Sequence, residues 1–452
     1  MRRVASLLIA NRGEIACRVI RAAKALGLRT IAVHSDVDAT ALHVEMADAA
    51  IAIGTARPAD SYLRAAAVVQ AARDARADAV HPGYGFLAEN AAFAQAVEDA
   101  GLVWVGPAPR TIEDMGDKER ARLLAKAAGV PVLPGSARFA PGDLGGLAED
   151  AARVGYPLLV KASAGGGGIG MRLVERPEDL LKTVEATQGL AARAFGDGTV
   201  FLERFVRNAR HVEIQVFGFG DGHAIHCFER ECSVQRRFQK IVEESASPGL
   251  APRVREAMAA AAVALARQER YRSAGTIEFV LDDDTGAFYF LEMNTRIQVE
   301  HPVTELVTGL DLVAMQLRLA MGEHLSADIP RHGGHAIEVR ICAENPAKMF
   351  LPSPGRIARL VLPEGDGIRV DTGVREGDAV TPNYDSMIAK VIVHAATREA
   401  AIGRMLAALD ATEIDGITTN VAFLRRVVNH AAFRAGRTLT SFVDAHRADL
   451  IG

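Results

Sequence analysis

Four glycines in a row constrain this chain more tightly than any other feature. They lie in Lys161-Ala162-Ser163-Ala164-Gly165-Gly166-Gly167-Gly168-Ile169-Gly170-Met171-Arg172, between two segments whose pattern predicts strands over 156–161 and 171–174. A helical pattern begins only at Pro177. A dinucleotide-binding turn or a P-loop would open directly into a helix, and no Gly-Lys-Ser/Thr is present. Strand, glycines, strand is instead a hairpin flap. Glycine lets bare backbone N–H groups close over a polyphosphate, and Lys161 stands beside them to reach the same phosphates. The competing reading is a plain surface hairpin, but four successive glycines cost ordering entropy that an ordinary turn does not need. Protein kinases share the pattern, yet neither His-Arg-Asp nor Asp-Phe-Gly occurs.

The chain around the flap has 452 residues, enough for about two to four domains. Its first hundred residues alternate strand (4–10, 29–34, 79–81, 103–105) with helix (14–26, 61–72, 90–100), the pattern of an open parallel α/β sheet. The first turn, Asn11-Arg12-Gly13-Glu14-Ile15, lacks G-x-G-x-x-G and disfavours a nicotinamide fold. A helix over 117–128 leads into a Gly/Pro-rich loop, and about 132–205 reads as a small inserted unit. Pro330-Arg331-His332-Gly333-Gly334 reads as a linker, after which a strand over 336–341 opens the last section.

Hydrophobic residues at 49% and charged residues at 24% describe a globular chain. A net charge of −4 gives no basic field for nucleic acid or an acidic membrane. No apolar run approaches the ~20 residues of a membrane span. The apolar start is interrupted by Asn11-Arg12-Gly13-Glu14, which predicts the mature N-terminus of a cytoplasmic protein. Cys17, Cys227, Cys232 and Cys342 form no CxxC pair and predict buried thiols in a reducing compartment. Only eight of the 52 basic residues are lysine, so a lysine inside a motif marks a place for a compact ammonium.

Residues 276–281 and 287–294 flank Asp282-Asp283-Asp284-Thr285-Gly286 and predict a β-hairpin. Folded symmetrically about Thr285, it sets Glu278 opposite Glu292 on one face, with Asn294 and Arg296 following at period two if the strand continues. Opposed carboxylates are destabilising unless a cation lies between them. Two Glu and one Asn are hard oxygen donors suited to Mg²⁺ on nucleotide phosphates. The competing reading is solvated acids neutralised by Arg296, and Asp282–Asp284 read as a solvated turn tip. Arg296, Gln298 and Glu300 then pack a cation, an amide and an acid into five residues, which suits binding a small oxyanion and moving its proton. His301 before Pro302 reads as a structural imidazole.

These motifs and others resemble the biotin carboxylase component of biotin-dependent carboxylases, a branch of the ATP-grasp enzymes. The resemblance is carried by Ile9-Ala10-Asn11-Arg12-Gly13-Glu14-Ile15-Ala16, His81-Pro82-Gly83-Tyr84-Gly85-Phe86-Leu87, Met115-Gly116-Asp117-Lys118, the glycine run, Arg210-His211-Val212-Glu213-Ile214-Gln215 and Gln235-Arg236-Arg237. It continues through Glu292–Glu305, Leu351-Pro352-Ser353-Pro354-Gly355 and Tyr384-Asp385-Ser386-Met387-Ile388. It implies three units: an N-terminal α/β domain over 1–114, an ATP-grasp domain over 115–330 with a mobile lid over about 132–205, and a C-terminal α+β domain over 335–445. It also implies a reaction in which MgATP and bicarbonate give carboxyphosphate and then carboxylated biotin.

By position, the resemblance implies ATP contacts from Lys118, Lys161, Gly165, Gly166, Gly167, Gly168, Met171, Glu203, Arg204, Phe205, Val206, His211, Gln235, Phe238, Glu278 and Glu292. Glu278, Glu292 and Asn294 would hold two Mg²⁺, with Mn²⁺ as a substitute. Lys240, Arg296, Gln298 and the Val299 backbone would bind bicarbonate, and Glu300 would deprotonate it. Arg340 would face the biotin ureido oxygen, with Tyr84 nearby. Three positions depart from the family pattern: Phe238 replaces a common His, Ile169 a common Arg or Lys, and Arg204 a common Lys. The first two predict moderately weakened ATP binding.

Carrier domains bear their lysine in a Met-Lys-Met setting, and the nearest approach is Ala347-Lys348-Met349. The expectation is therefore a stand-alone homodimeric subunit working with a separate biotin carboxyl carrier protein and a carboxyltransferase. Acetyl-CoA is the first candidate acceptor, with propionyl-CoA and methylcrotonyl-CoA next. One alternative is another ATP-grasp carboxylate–amine ligase, against which Glu300, Arg340 and 384–387 speak. The other is a nucleotide-binding, non-catalytic subunit, for which only Phe238 and Ile169 speak.

Overall fold

The computed structural model describes residues 4–163 and 170–451. Its N-terminal part is a five-stranded parallel sheet of β1 (Ser6–Ile9), β2 (Arg29–Ser35), β3 (Ala49–Gly54), β4 (Ala79–His81) and β5 (Val103–Trp104), in the order β3-β2-β1-β4-β5. β1 is buried along its length, its Leu7-Leu8-Ile9 run suiting a central parallel strand. The expected helix over 61–72 is a correction: the helix is Ala65–Asp74. Ser61 and Tyr62 are spent elsewhere, the Ser61 hydroxyl donating to the Arg57 carbonyl and the buried Tyr62 hydroxyl to Asp38. β3 was not anticipated.

A four-stranded antiparallel sheet follows, formed by β6 (Gly135–Phe139), β7 (Leu158–Ala162), β8 (Met171–Val174) and β9 (Val200–Arg204), in the order β6-β9-β7-β8. β7 and β8 are the two strands flanking the glycine run, paired with Lys161 opposite Met171. The helix Leu180–Phe195 packs on this sheet around a small core that includes Leu158, Val160, Val184 and Leu202. Gly165, Gly166, Gly167, Gly168 and Ile169 lie outside the described residues.

The largest sheet has eight strands. β10 (Ala209–Phe219), β11 (Ala224–Arg236), β12 (Gln239–Ser245), β13 (Arg272–Asp282), β14 (Phe288–Asn294) and β15 (His335–Cys342) are joined by the strands Met387–Ala395 and Ile368–Thr372. β12 pairs with β15, setting Glu243 opposite Glu338, so the strands before and after 330–334 form one continuous sheet. One core lies beneath β10 and β13 against the helix Pro252–Gln268, and another lies beneath β15 and Met387–Ala395 against the helix Arg398–Asp410. Among the described residues, no helix is long and apolar enough to cross a membrane. All four cysteines are buried and unpaired.

Candidate active site

The site is built on a row of acids. Strand registers set Glu213 opposite Glu278, and Glu278 opposite Glu292. On the other flank Glu213 pairs with Arg230. Directly paired residues share a face of the sheet, so three carboxylates project together and require cations among them. Lys240 Nζ donates to Glu213 Oε2 at 2.5 Å, Glu278 Oε1 at 2.7 Å and Glu300 Oε1 at 2.7 Å. Fully buried Arg230 donates to Glu213 Oε1 at 2.5 Å and Gln298 Oε1 at 2.7 Å, and its other N–H groups reach Gln215, Thr276 and Thr304.

The opposition of Glu278 and Glu292 is as expected, although the turn is not symmetric about Thr285. Leu281 pairs with Phe288 and Val280 with Tyr289, a register that would carry Glu278 to Leu291. An irregularity between Glu278 and Phe279 absorbs one residue and restores Glu292. At the tip, Asn208 donates to Asp284, Arg210 pairs with Asp283 at 3.3 Å, and Asp282 accepts from the Asp284 N–H, so all three acids have partners of their own. β14 ends at Asn294, so Arg296 does not continue the strand. It approaches from the following loop, its Nε donating to Glu89 Oε2 at 2.9 Å and its Nη2 to Asn294 Oδ1 at 2.8 Å.

Glu300 immediately precedes the helix His301–Thr308. One of its oxygens accepts from Lys240, and the other accepts from Arg340 Nη2 at 3.0 Å. Burial opposes its ionisation, but Lys240, Arg340 and Arg230 outweigh burial and hold the carboxyl well below the usual range. Arg340 also donates through Nε to Glu243 Oε1 at 2.7 Å. Burial pushes Glu243 up to about 7 against the pull of Arg340. Lys240 is buried too, yet Glu213, Glu278 and Glu300 keep its ammonium charged.

His211 Nε2 lies 2.9 Å from Glu278 Oε2, and Gln235 Nε2 donates to His211 Nδ1 at 2.9 Å. Despite burial, Lys240 and His211 hold Glu278 well below the usual carboxylate range. Glu292 is raised, first by the crowding of surrounding protein and then by Glu278. The donor set fits Mg²⁺: two opposed carboxylates and a neighbouring amide offer hard oxygens side by side. Asn294 here donates Nδ2 to Glu278 Oε1 at 2.9 Å, and turning its amide over would offer Oδ1 instead. His211, Glu213 and Glu278 also bring ligand-type atoms within 4.8 Å of one another.

Lys118 begins the helix Lys118–Ala127, capped by Asp117, and lines a cavity of ≈ 320 Å³ with Glu89, Glu292, Asn294 and Thr295. Lys161 pairs with Glu203 across β7 and β9. Arg204 N and Phe205 N donate to the carbonyls of Pro134 and Pro157, and Val206 follows them out of the small sheet. Phe238 stands apart, 70% exposed at the β11–β12 turn, where it and Arg237 both have positive φ. Tyr84 donates its hydroxyl to Glu14 Oε1. Asn11 Nδ2 donates to the carbonyls of Pro82 and Tyr84 at 2.7 Å each, and a Cβ on Gly83 would come within 2.9 Å of that amide.

Glu89, Glu213, Arg230, Glu243 and Lys390 join this network without having been singled out. A signal existed for Glu213, since period two from His211 along a strand places Glu213 on the same face. The others depend on tertiary contacts between segments far apart in the sequence.

Three family models match: biotin carboxylase, N-terminal domain, over residues 3–112; carbamoyl-phosphate synthase L chain, ATP binding domain, over 117–328; and biotin carboxylase C-terminal domain over 338–445. The chain is 50% identical over 443 residues to the biotin carboxylase of Halalkalibacterium halodurans, covering 97% of each. It is 47% identical to the mitochondrial methylcrotonoyl-CoA carboxylase subunit alpha of Oryza sativa subsp. japonica, covering 99% of this chain and 61% of that one. A solved structure, the biotin carboxylase domain dimer of Hydrogenobacter thermophilus 2-oxoglutarate carboxylase with MgADP, ADP and bicarbonate, superposes with a TM-score of 0.92. It is 46% identical, with 100% of this chain and 99% of that chain covered.

Proposed function

The chain belongs to the biotin carboxylase family of ATP-dependent ligases, and on that premise we propose that it uses MgATP and bicarbonate to carboxylate biotin presented by a separate carrier protein. One observation carries the reading. The two oxygens of Glu300 accept from Lys240, which is anchored in the row of acids, and from Arg340, on the first strand of the C-terminal section. A single base thereby links a phosphate end to an acceptor end.

Lys240, Arg296, Gln298 and the Val299 backbone bind bicarbonate in this scheme. Glu300, held ionised by its cationic neighbours, takes the bicarbonate proton as its oxygen attacks the γ-phosphorus of ATP, giving carboxyphosphate and ADP. The cations lower the proton affinity of the bound bicarbonate as well, so a weakly basic carboxylate suffices. Lys118, Lys161, His211, Gln235 and the backbone of 203–206 hold the nucleotide. Glu278, Glu292 and Asn294 would hold Mg²⁺, whose charge would be available to neutralise the phosphates during transfer. Arg340, aided by Tyr84, stabilises the ureido oxygen as biotin becomes an enolate and takes up the carboxyl group.

The units follow as 1–114, 115–330 with a lid over about 132–205, and 335–445. The chain acts as a cytoplasmic homodimer with a carboxyltransferase, and acetyl-CoA is the first acyl acceptor to assay. Support for an acyl-CoA system comes from the likeness to a methylcrotonoyl-CoA carboxylase subunit. Transfer of ¹⁸O from labelled bicarbonate tests the chemistry. Each turnover should place one bicarbonate oxygen in the released phosphate, and unlabelled phosphate would contradict a carboxyphosphate route.

A further inference from the structure

Lys390 takes no part in the scheme above, yet it is fully buried. It lies on the strand Met387–Ala395 in register with Arg340, so the two side chains share a face. Its Nζ donates to the Val299 carbonyl at 2.7 Å, lies 3.2 Å from Glu14 Oε1 and is 3.8 Å from Asp371 Oδ2. Glu14, on the helix Gly13–Ala25 of the N-terminal part, accepts the Tyr84 hydroxyl through that same oxygen. One ammonium thus touches the loop that carries Glu300, the helix that holds Tyr84 and the strand pair beside Arg340.

A buried ammonium is costly unless it is paired and hydrogen-bonded, and an apolar side chain fills such a place at no electrostatic cost. The contacts made here are specific ones. The Val299 carbonyl belongs to the peptide that leads into Glu300, so the bond fixes the direction of that peptide and of the carboxylate after it. The contact with Glu14 fixes the acceptor of the Tyr84 hydroxyl.

We propose that Lys390 is a positioning residue for the bicarbonate and biotin half of the site, holding the Val299–Glu300 peptide and the Glu14–Tyr84 pair in one fixed relation. The proposal rests on the biotin carboxylase reading. None of these contacts involves the nucleotide-side residues Lys118, Lys161, His211 or Glu292, so the two halves of the site should respond differently when Lys390 changes.

The test is steady-state kinetics of Lys390→Met with MgATP, bicarbonate and free biotin each varied, alongside the MgATP-induced rise in melting temperature. The expected result is a split. KM for bicarbonate and biotin rises, or kcat for biotin-dependent ADP release falls, by about tenfold to a hundredfold, as for loss of a charge-assisted hydrogen bond. KM for MgATP and its thermal shift stay within about twofold of wild type. If Lys390→Met does not fold, the double variant Glu14→Gln/Lys390→Met removes the stranded carboxylate and carries the same expectation. Equal losses for all three substrates would reduce Lys390 to a structural residue and overturn the proposal, as would unchanged kinetics. Failure of the underlying reading looks different: wild-type ADP release would itself be indifferent to biotin and bicarbonate.

Discussion

Glu338 on β15 is fully buried, with both carboxylate oxygens lacking a hydrogen-bond partner. Burial lifts its carboxyl well above the ordinary 4.5, against the pull of Lys390 and with Glu243 adding to the rise. The folded chain therefore holds this proton more tightly than the unfolded chain does. Its stabilising contribution is complete below pH 4.5 and is lost as pH rises toward the folded value. Glu338→Gln should keep turnover within about twofold and remove a pH-dependent loss of up to ~1.4 kcal/mol per pH unit above that point. Urea titrations of both proteins across the range check this, and parallel pH profiles would contradict it. Phe238 is the second residue with a measurable consequence. The family resemblance places position 238 against the nucleotide, where a histidine would add one polar contact, so Phe238→His should tighten ATP binding by about two- to tenfold by calorimetry. An unchanged Kd would remove the account of weakened affinity. Residue types in one short run singled out Arg296, Gln298 and Glu300 in the sequence, whereas Lys240 was reached only through the family resemblance. Glu89 and Arg230 were not singled out, because only tertiary pairing gives them their partners.

The hairpin β13–β14 shows what can be read at the level of elements. Its hydrophobic alternation and acidic turn made the hairpin legible, but the opposition of Glu278 and Glu292 depends on a β-bulge that leaves no mark in composition. The helix expected from Ser61 failed for a similar reason, since helical spacing does not reveal that Ser61 and Tyr62 are bound elsewhere. The opposed acids make the hairpin a place where stability is given up for binding. Glu292→Gln should stabilise the metal-free protein by about 0.2–1 kcal/mol, the scale of a like-charge pair across strands. It should also sharply lower MgATP-dependent turnover. Calorimetric melting with chelator, beside an ADP assay, measures both. A variant that melts lower without metal would show that Glu292 is not under repulsion in the free protein.

At the scale of the molecule, alternation of strand and helix made β1, β2, β4 and β5 of the N-terminal sheet legible, and the flanks of the glycine run made β7 and β8 legible, but not β3, β6 or β9. The continuous eight-stranded sheet was not legible, because pairing of β12 with β15 joins residues on either side of a segment that reads as a linker. That continuity matters to function. It sets Arg340 beside Glu243 and Glu300, so the proposed acceptor end of the site is built into the same sheet as Glu213, Glu278 and Glu292. The most direct test of this arrangement is ADP release by the purified protein with Mg²⁺ and bicarbonate, with and without free biotin, with Arg340→Ala run alongside. The account predicts turnover stimulated by biotin in the wild type and a loss of that stimulation in the variant. Turnover indifferent to both biotin and bicarbonate would contradict it, leaving an ATP-using site with a different acceptor.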